Sequence, residues 1–215
     1  MDRSFKNRVN KAIAFQKPDR VPRDFAAVPE IWRKLGDYYR TEDRSKILES
    51  LDVDCRIVSY DSFCDHPDYD PENVDKDASQ ERSSVGGMWR YSEPDGSNRD
   101  IWGAHRRRVP HTYGAYDEFA SFPLENARSV DDLKKYEWPQ PDWWRFDNLV
   151  SYINELNDNA VYSIRYRIGS VFETSWSLYN FEKFLLDLAM HPEMPRYVME
   201  RVSEVHIENL RTVLS

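Results

Sequence analysis

The chain is predicted to be an α/β protein with parallel strand pairing, and three observations carry that prediction. Amphipathic helical stretches alternate with short β-branched runs, the order expected when each strand is followed by a crossover. The stretch Ala160 to Phe181, AVYSIRYRIGSVFETSWSLYNF, reads as one strand, a Gly-Ser junction and the opening of a helix. Its strand portion, Val161 to Ile168, alternates strictly: Tyr162, Ile164, Tyr166 and Ile168 on one side, Val161, Ser163, Arg165 and Arg167 on the other. Two arginines near the C-terminal end of a strand pack poorly in a core. In a parallel α/β fold that end is where ligands bind, so Arg165 and Arg167 are candidate ligand-binding residues. A solvated edge, with both arginines paired to carboxylates, is the other reading.

In chain order, Phe5, Val9, Ala12 and Ile13 share one helical face, and Pro18 stops that helix. PDRVPRDFA reads as a turn into a first strand over about Val21 to Phe25. Pro29 starts a second helix, with Ile31, Trp32 and Leu35 apolar before Gly36. A third, from about Asp43, carries Ile47, Leu48 and Leu51 and leads into the second strand, Cys55 to Tyr60. Asp65 to about Gln80 is Asp-rich and irregular. Between Ser84 and Phe122, Gly86-Gly87, Asp95-Gly96, Gly103 and Gly114 punctuate short aromatic runs, which is hairpin chemistry and predicts an antiparallel insertion over about 84–122. Ser129 with Asp132 signals a capped short helix containing Leu133. EWPQPDWW is a connector, and a helix with Phe146, Leu149, Val150 and Ile153 on one face precedes the central strand. Beyond Gly169 the chain reads as helical, with one stripe of Phe181, Phe184, Leu185, Leu188 and Ala189 and another of Val198, Val202 and Val205. His191-Pro192 separates them.

Composition narrows the function classes. A net charge of -8 and no basic block longer than Arg106-Arg107-Arg108 argue against a nucleic-acid partner. No apolar run approaches the about 20 residues of a spanning helix, and the amino terminus lacks the apolar segment of a signal peptide. Two cysteines make no disulfide framework, so a cytoplasmic location is expected. Cys64-Asp65-His66 offers two ligands where a zinc site needs three or four. His105 and His111 flank the triple arginine, on what reads as a solvated strand face, with an anion-binding patch as the other reading. Walker, dinucleotide-binding and nucleophile-elbow motifs are absent.

The ordered series PDRVPRDF, LDVDCRIVSYD, RDIWGAHRRRV, SVDDLKKYEWPQPDWW and the Gly169 junction resembles the uroporphyrinogen decarboxylase superfamily over most of the chain. It is most similar to the decarboxylase-like branch related to corrinoid-dependent methyltransferases. The resemblance implies a TIM (β/α)8 barrel with its pocket at the C-terminal strand ends. Residues 1–215 would then form the amino-terminal part of a longer barrel or a truncated gene product, inactive by itself, interrupted by the hairpin insertion, with an open edge that invites self-association. It implies a lyase of porphyrin biosynthesis or a methyltransferase, with a tetrapyrrole or a corrinoid protein as partner, while the lack of a long apolar run leads to no membrane partner being expected. No cofactor is expected in this portion; the zinc ligands of the methyltransferase branch come from a carboxy-terminal half, so zinc is expected only in a full-length protein.

Residue by residue, the resemblance places the strand-end carboxylate, which hydrogen-bonds pyrrole N–H groups, on Asp61, with Cys55, Ile57 and Ser59 facing the same way. A turn-initiating Asp is the other reading of that position. The aromatic context of the third-strand loop falls on Phe172 and Trp176, with Trp176 in place of a tyrosine. The substrate-binding arginines of the decarboxylase motif fall on Pro22 and Ala26, and Arg23 is out of register, which favours the methyltransferase side. Glu173 reads as a favourable charge at a helix start. A non-catalytic half-barrel that pairs with another chain, and a small-ligand-binding protein built on its tryptophans, are the alternatives.

Overall fold

The structure, a computed structural model, describes residues 5–67, 90–112, 114–157 and 161–215. It is a mixed α/β protein whose described strands form one two-stranded parallel sheet and one four-stranded antiparallel sheet. The described residues fall into two compact units. One holds the chain up to Ser59 together with Asp147–Arg167; the other begins at Tyr60 and holds Met88–Phe146 and Ile168–Ser215.

The first unit contains α1 (Phe5–Ile13), α2 (Pro29–Tyr39), α3 (Arg44–Ser50), β1 (Cys55–Ser59), α5 (Leu149–Leu156) and β6 (Ser163–Arg167). β1 and β6 pair in parallel, with Ile57 opposite Arg165 and Ser59 opposite Arg167. Asp43 caps α3 by accepting from the Ser45 and Lys46 amides at 2.9 and 3.3 Å. α2 runs through Gly36 to Tyr39 rather than stopping at the glycine, and ends at Arg40, whose φ is 53°. The helix expected from Phe146 begins at Leu149, and Val150 on it is 70 % exposed.

The expected first strand, Val21 to Phe25, does not form. Pro22 has no N–H to give to a ladder, and the neighbouring pairing is completed by a side chain. The Arg23 amide donates to Asp54 Oδ2 at 2.6 Å, while the Asp54 amide donates to the Arg23 carbonyl at 2.9 Å. Asp54 is wholly buried and also accepts from Arg8 and, at 2.7 Å, from Arg20. Its own carbonyl accepts from the Ser163 amide at 3.0 Å. One carboxylate thus fastens α1, the 20–23 segment, β1 and the start of β6.

The second unit holds the antiparallel sheet expected over about 84–122. It is a meander of β2 (Arg90–Ser92), β3 (Ser97–Asp100), β4 (His105–His111) and β5 (Gly114–Ser121). Gly86 and Gly87, and most of the Asp-rich 65–80 stretch, lie outside the described residues. The triple arginine of β4 is engaged rather than open to an anion. Arg106 lies 4.0 Å over the Phe119 ring, Arg107 pairs with Asp95 at 3.1 Å and Arg108 with Asp117 at 3.5 Å. α4 (Val130–Lys134) begins at its predicted cap, with Ser129 Oγ accepting from the Asp132 amide at 3.3 Å.

α6 (Val171–Tyr179), α7 (Phe181–Met190) and α8 (Glu193–Leu214) complete this unit. α6 buries Thr174, Ser175 and Ser177, small side chains that permit close helix approach. α8 buries the predicted Val198, Val202 and Val205. α7 departs from its stripe. Phe184 is buried, but Phe181, Leu185 and Leu188 are 40–45 % exposed while Asp187 is buried. The packed face is turned toward Asp187 because that carboxylate has partners inside: Tyr179 Oη and Lys183 Nζ, both at 2.6 Å. Among the described residues no helix is long and apolar enough to cross a membrane.

Replacing Asp54 with Ala strips Arg8, whose side chain is only 9 % exposed, of a buried partner. The expected loss is about 3–5 kcal/mol in urea denaturation, against a much smaller loss for Asp19→Ala at the exposed end of the same arginine.

Candidate functional site

The residues that follow β1 in sequence belong to a buried polar and aromatic cluster within the second unit. Tyr60–Phe63 form a single 3-10 turn in which Tyr60, Asp61 and Phe63 are buried. Asp61 is 1 % exposed. Tyr60 stacks on Trp144, ring centroids 5.9 Å apart and 16° from parallel, and its carbonyl accepts from Trp144 Nε1 at 3.0 Å. Its hydroxyl accepts from Trp102 Nε1 at 2.8 Å. Burial, reinforced by the adjacent Asp61 charge, pushes the Tyr60 phenol well above its ordinary pKa, so it is a neutral hydroxyl at any physiological pH.

Trp102 owes its place to the Asp-Ile-Trp-Gly turn between β3 and β4. Asp100 Oδ1 accepts from the Trp102 and Ala104 amides at 2.9 and 3.1 Å, the side-chain-closed turn that Asp favours. Gly103 sits at φ 79°, where a Cβ would lie 2.5 Å from the Tyr136 hydroxyl. That hydroxyl donates to the Trp102 carbonyl at 2.5 Å.

His206, from the middle of α8, closes the cluster. It meets Tyr60 and Trp102 edge to face, at 5.4 and 5.7 Å between centroids. It is 2 % exposed, and neither ring nitrogen has a hydrogen-bond partner among the described residues. Burial lowers its pKa to about 4, so the imidazole is neutral at pH 7. Gly169, at φ 92°, lets the chain pass against it: a Cβ there would stand 2.9 Å from His206 Cε1 and 3.4 Å from Tyr60 Cε1. The residues that complete this cluster, Tyr60, Trp102 and His206, are missed by the sequence reading. Trp102 alone had a local signal, the Asp-x-Trp-Gly spacing.

Of the predicted site residues, Phe172 is 46 % exposed and meets Phe184 edge to face at 5.8 Å. Trp176 lies edge to face between Phe119 and Phe181, at 5.0 and 5.3 Å. Glu173 lies in the first turn of α6, and its backbone amide donates to the Ser170 Oγ cap at 3.2 Å. In the first unit the parallel register puts Arg165 and Arg167 on the same face as Cys55, Ile57 and Ser59. Arg165 is more than half exposed there and ion-paired with Asp24. Burial and then the Asp24 charge raise the Cys55 thiol pKa, which keeps it protonated and unreactive.

No group of three or more potential metal ligands occurs among the described residues. Cys64 is buried beside Trp144, and the His66 ring lies 4.3 Å from that of Trp143. Two potential ligands, Cys64 and His66, do not complete a zinc site, which needs three or four. Comparison of the chain with protein-family models, with curated proteins and with solved structures finds no match.

Gly169→Ala forces both the positive φ and the His206 contact, and a loss of at least about 1–3 kcal/mol is expected on unfolding. A second expectation concerns pH. Between about 6.5 and about 4 the unfolded chain protonates His206 while the folded chain does not, so stability falls as pH falls through that window. The full loss is of order 3 kcal/mol. His206→Leu should flatten that part of the stability profile between pH 7 and pH 4 relative to the parent protein.

Proposed function

We propose that the chain belongs to a (β/α)8-barrel enzyme of the uroporphyrinogen decarboxylase type, acting on a tetrapyrrole or in corrinoid-linked methyl transfer. The observation that carries this reading is the buried Asp61 in the 3-10 turn that directly follows β1 in sequence, next to Tyr60, whose ring and hydroxyl meet Trp144 and Trp102. Supporting it are the order and spacing of the sequence motifs and the use of one of them, Asp100 to Gly103, to set Trp102 against Tyr60.

Asp61 would accept hydrogen bonds from the ring N–H groups of a macrocycle. On the decarboxylation branch its fixed negative charge would stabilise the positive charge that develops as a pyrrole ring is protonated. A low-dielectric surround strengthens that attraction, and the rings packed on the neighbouring Tyr60 are of a kind that suits a flat ligand. Since Asp61 is 1 % exposed, a ligand reaches it only after covering side chains move apart.

The basic residues of the 20–23 segment favour the corrinoid side. Arg20 is held by Asp54, and Arg23 lies 3.8 Å from Asp52, so neither stands free as a clamp for propionate groups. Arg165 is likewise taken by Asp24. A macrocycle that needs many cationic partners fits poorly with such commitments.

Titration with uroporphyrin III and with cobalamin, followed by quenching of tryptophan fluorescence, tests the proposal. Saturable quenching is expected, stronger for cobalamin, and Asp61→Asn should weaken the quenching by uroporphyrin III, whose ring carries N–H groups, about tenfold or more, the loss of one charge-assisted hydrogen bond. No saturable quenching by either macrocycle overturns the reading.

A further inference from the structure

A second site lies away from Asp61, in a cavity of about 500 Å³ bounded by the 125–128 segment, α7 and the start of α8. That is within the range of small-molecule pockets, about 300–1,000 Å³. Part of its wall is a polar knot, since Lys183, Asp187 and Met194 border the cavity. Tyr179 is wholly buried and its hydroxyl donates to Asp187 at 2.6 Å; Lys183 Nζ lies 2.6 Å from both. Met194 Sδ is 3.6 Å from the same hydroxyl. Burial pushes the Asp187 carboxyl up, but the bonds from Lys183 and Tyr179 outweigh it and hold the group ionised. Burial and the bond to Asp187 raise the Tyr179 phenol, which is therefore no base. The knot is satisfied internally and has no charge left over.

The charges around the rim are different. Arg128, Glu125 and Glu182 all line the cavity, and none has an ion-pair partner among the described residues. Charges of both signs border one cavity without pairing with each other. A simple anion would meet two carboxylates there, and a simple cation would meet the guanidinium. Met190, 68 % exposed, and Met194 supply an apolar, adaptable wall.

We propose that this cavity binds a small zwitterion of the amino-acid class with an apolar side chain. Its carboxylate lies on Arg128, its ammonium on Glu125 and Glu182, and its side chain against Met190 and Met194. The planar guanidinium suits a carboxylate bidentately. The site is independent of the macrocycle reading and stands or falls without it.

Isothermal titration with L-methionine, N-acetyl-L-methionine and L-methioninamide tests the proposal. L-Methionine should bind saturably, and each blocked analogue about tenfold more weakly, since each lacks one charge-assisted contact. Arg128→Gln should bring methionine down to the level of the amide and leave the amide unchanged. Met190→Asp should weaken all three ligands. Both residues are exposed, and melting followed by circular dichroism confirms folding. Should Arg128→Gln fail to fold, Glu182→Gln provides the same comparison against the N-acetyl analogue. Absence of saturable methionine binding up to roughly 10 mM, well above the range where a specific site is expected to fill, overturns the proposal. So does equal binding of the three ligands by the parent protein.

Discussion

The first unit depends on one buried carboxylate. Asp54 has no exposed surface, yet it takes two guanidinium groups and a backbone amide on its side chain while its own backbone joins Arg23 and Ser163. An ionised group so buried is tolerable only when its lone pairs are filled. The filling comes from residues far apart in sequence: Arg8, Arg20 and Arg23. β1 and β6 therefore start from a common anchor, and the parallel register that follows sets which side chains share a face.

The second unit is organised differently, around aromatic rings with few charges. Tyr60 is its centre, touched by Trp102, Trp144 and His206 and bonded through both its hydroxyl and its carbonyl. Two glycines with positive φ, Gly103 and Gly169, let the backbone approach these rings where a side chain would collide. The cluster is thus specified by small residues as much as by large ones.

Much of this was legible in the residues. Strict alternation marked β6, β-branched content marked β1, and Asp43, Ser129 and the valine spacing of α8 marked three helices correctly. Glycine punctuation marked the antiparallel excursion. What escaped notice depended on partners distant in sequence. Val21 to Phe25 has strand composition, but a carboxylate stands where a strand neighbour would. The α7 stripe is genuine as a pattern, yet Tyr179 and Lys183 draw Asp187 inward and turn the helix off it. Position 206 shows a lone histidine between ordinary helical neighbours, and only packing gives it Tyr60 and Trp102 for company. Asp61 could be singled out by resemblance, but its burial could not be read from its neighbours.

Arg56 shows what such packing demands of a single position. It lies on the buried side of β1, 3 % exposed, with its guanidinium 3.6 Å over the Tyr162 ring and its Nη1 given to the Val53 and Cys55 carbonyls. A flat, weakly hydrated cation can lie on a ring while one edge of it, here Nη1, bonds two carbonyls; a compact ammonium cannot do both. Exchange for lysine, harmless at most surface arginines, would here leave a hydrated point charge sealed under an aromatic lid.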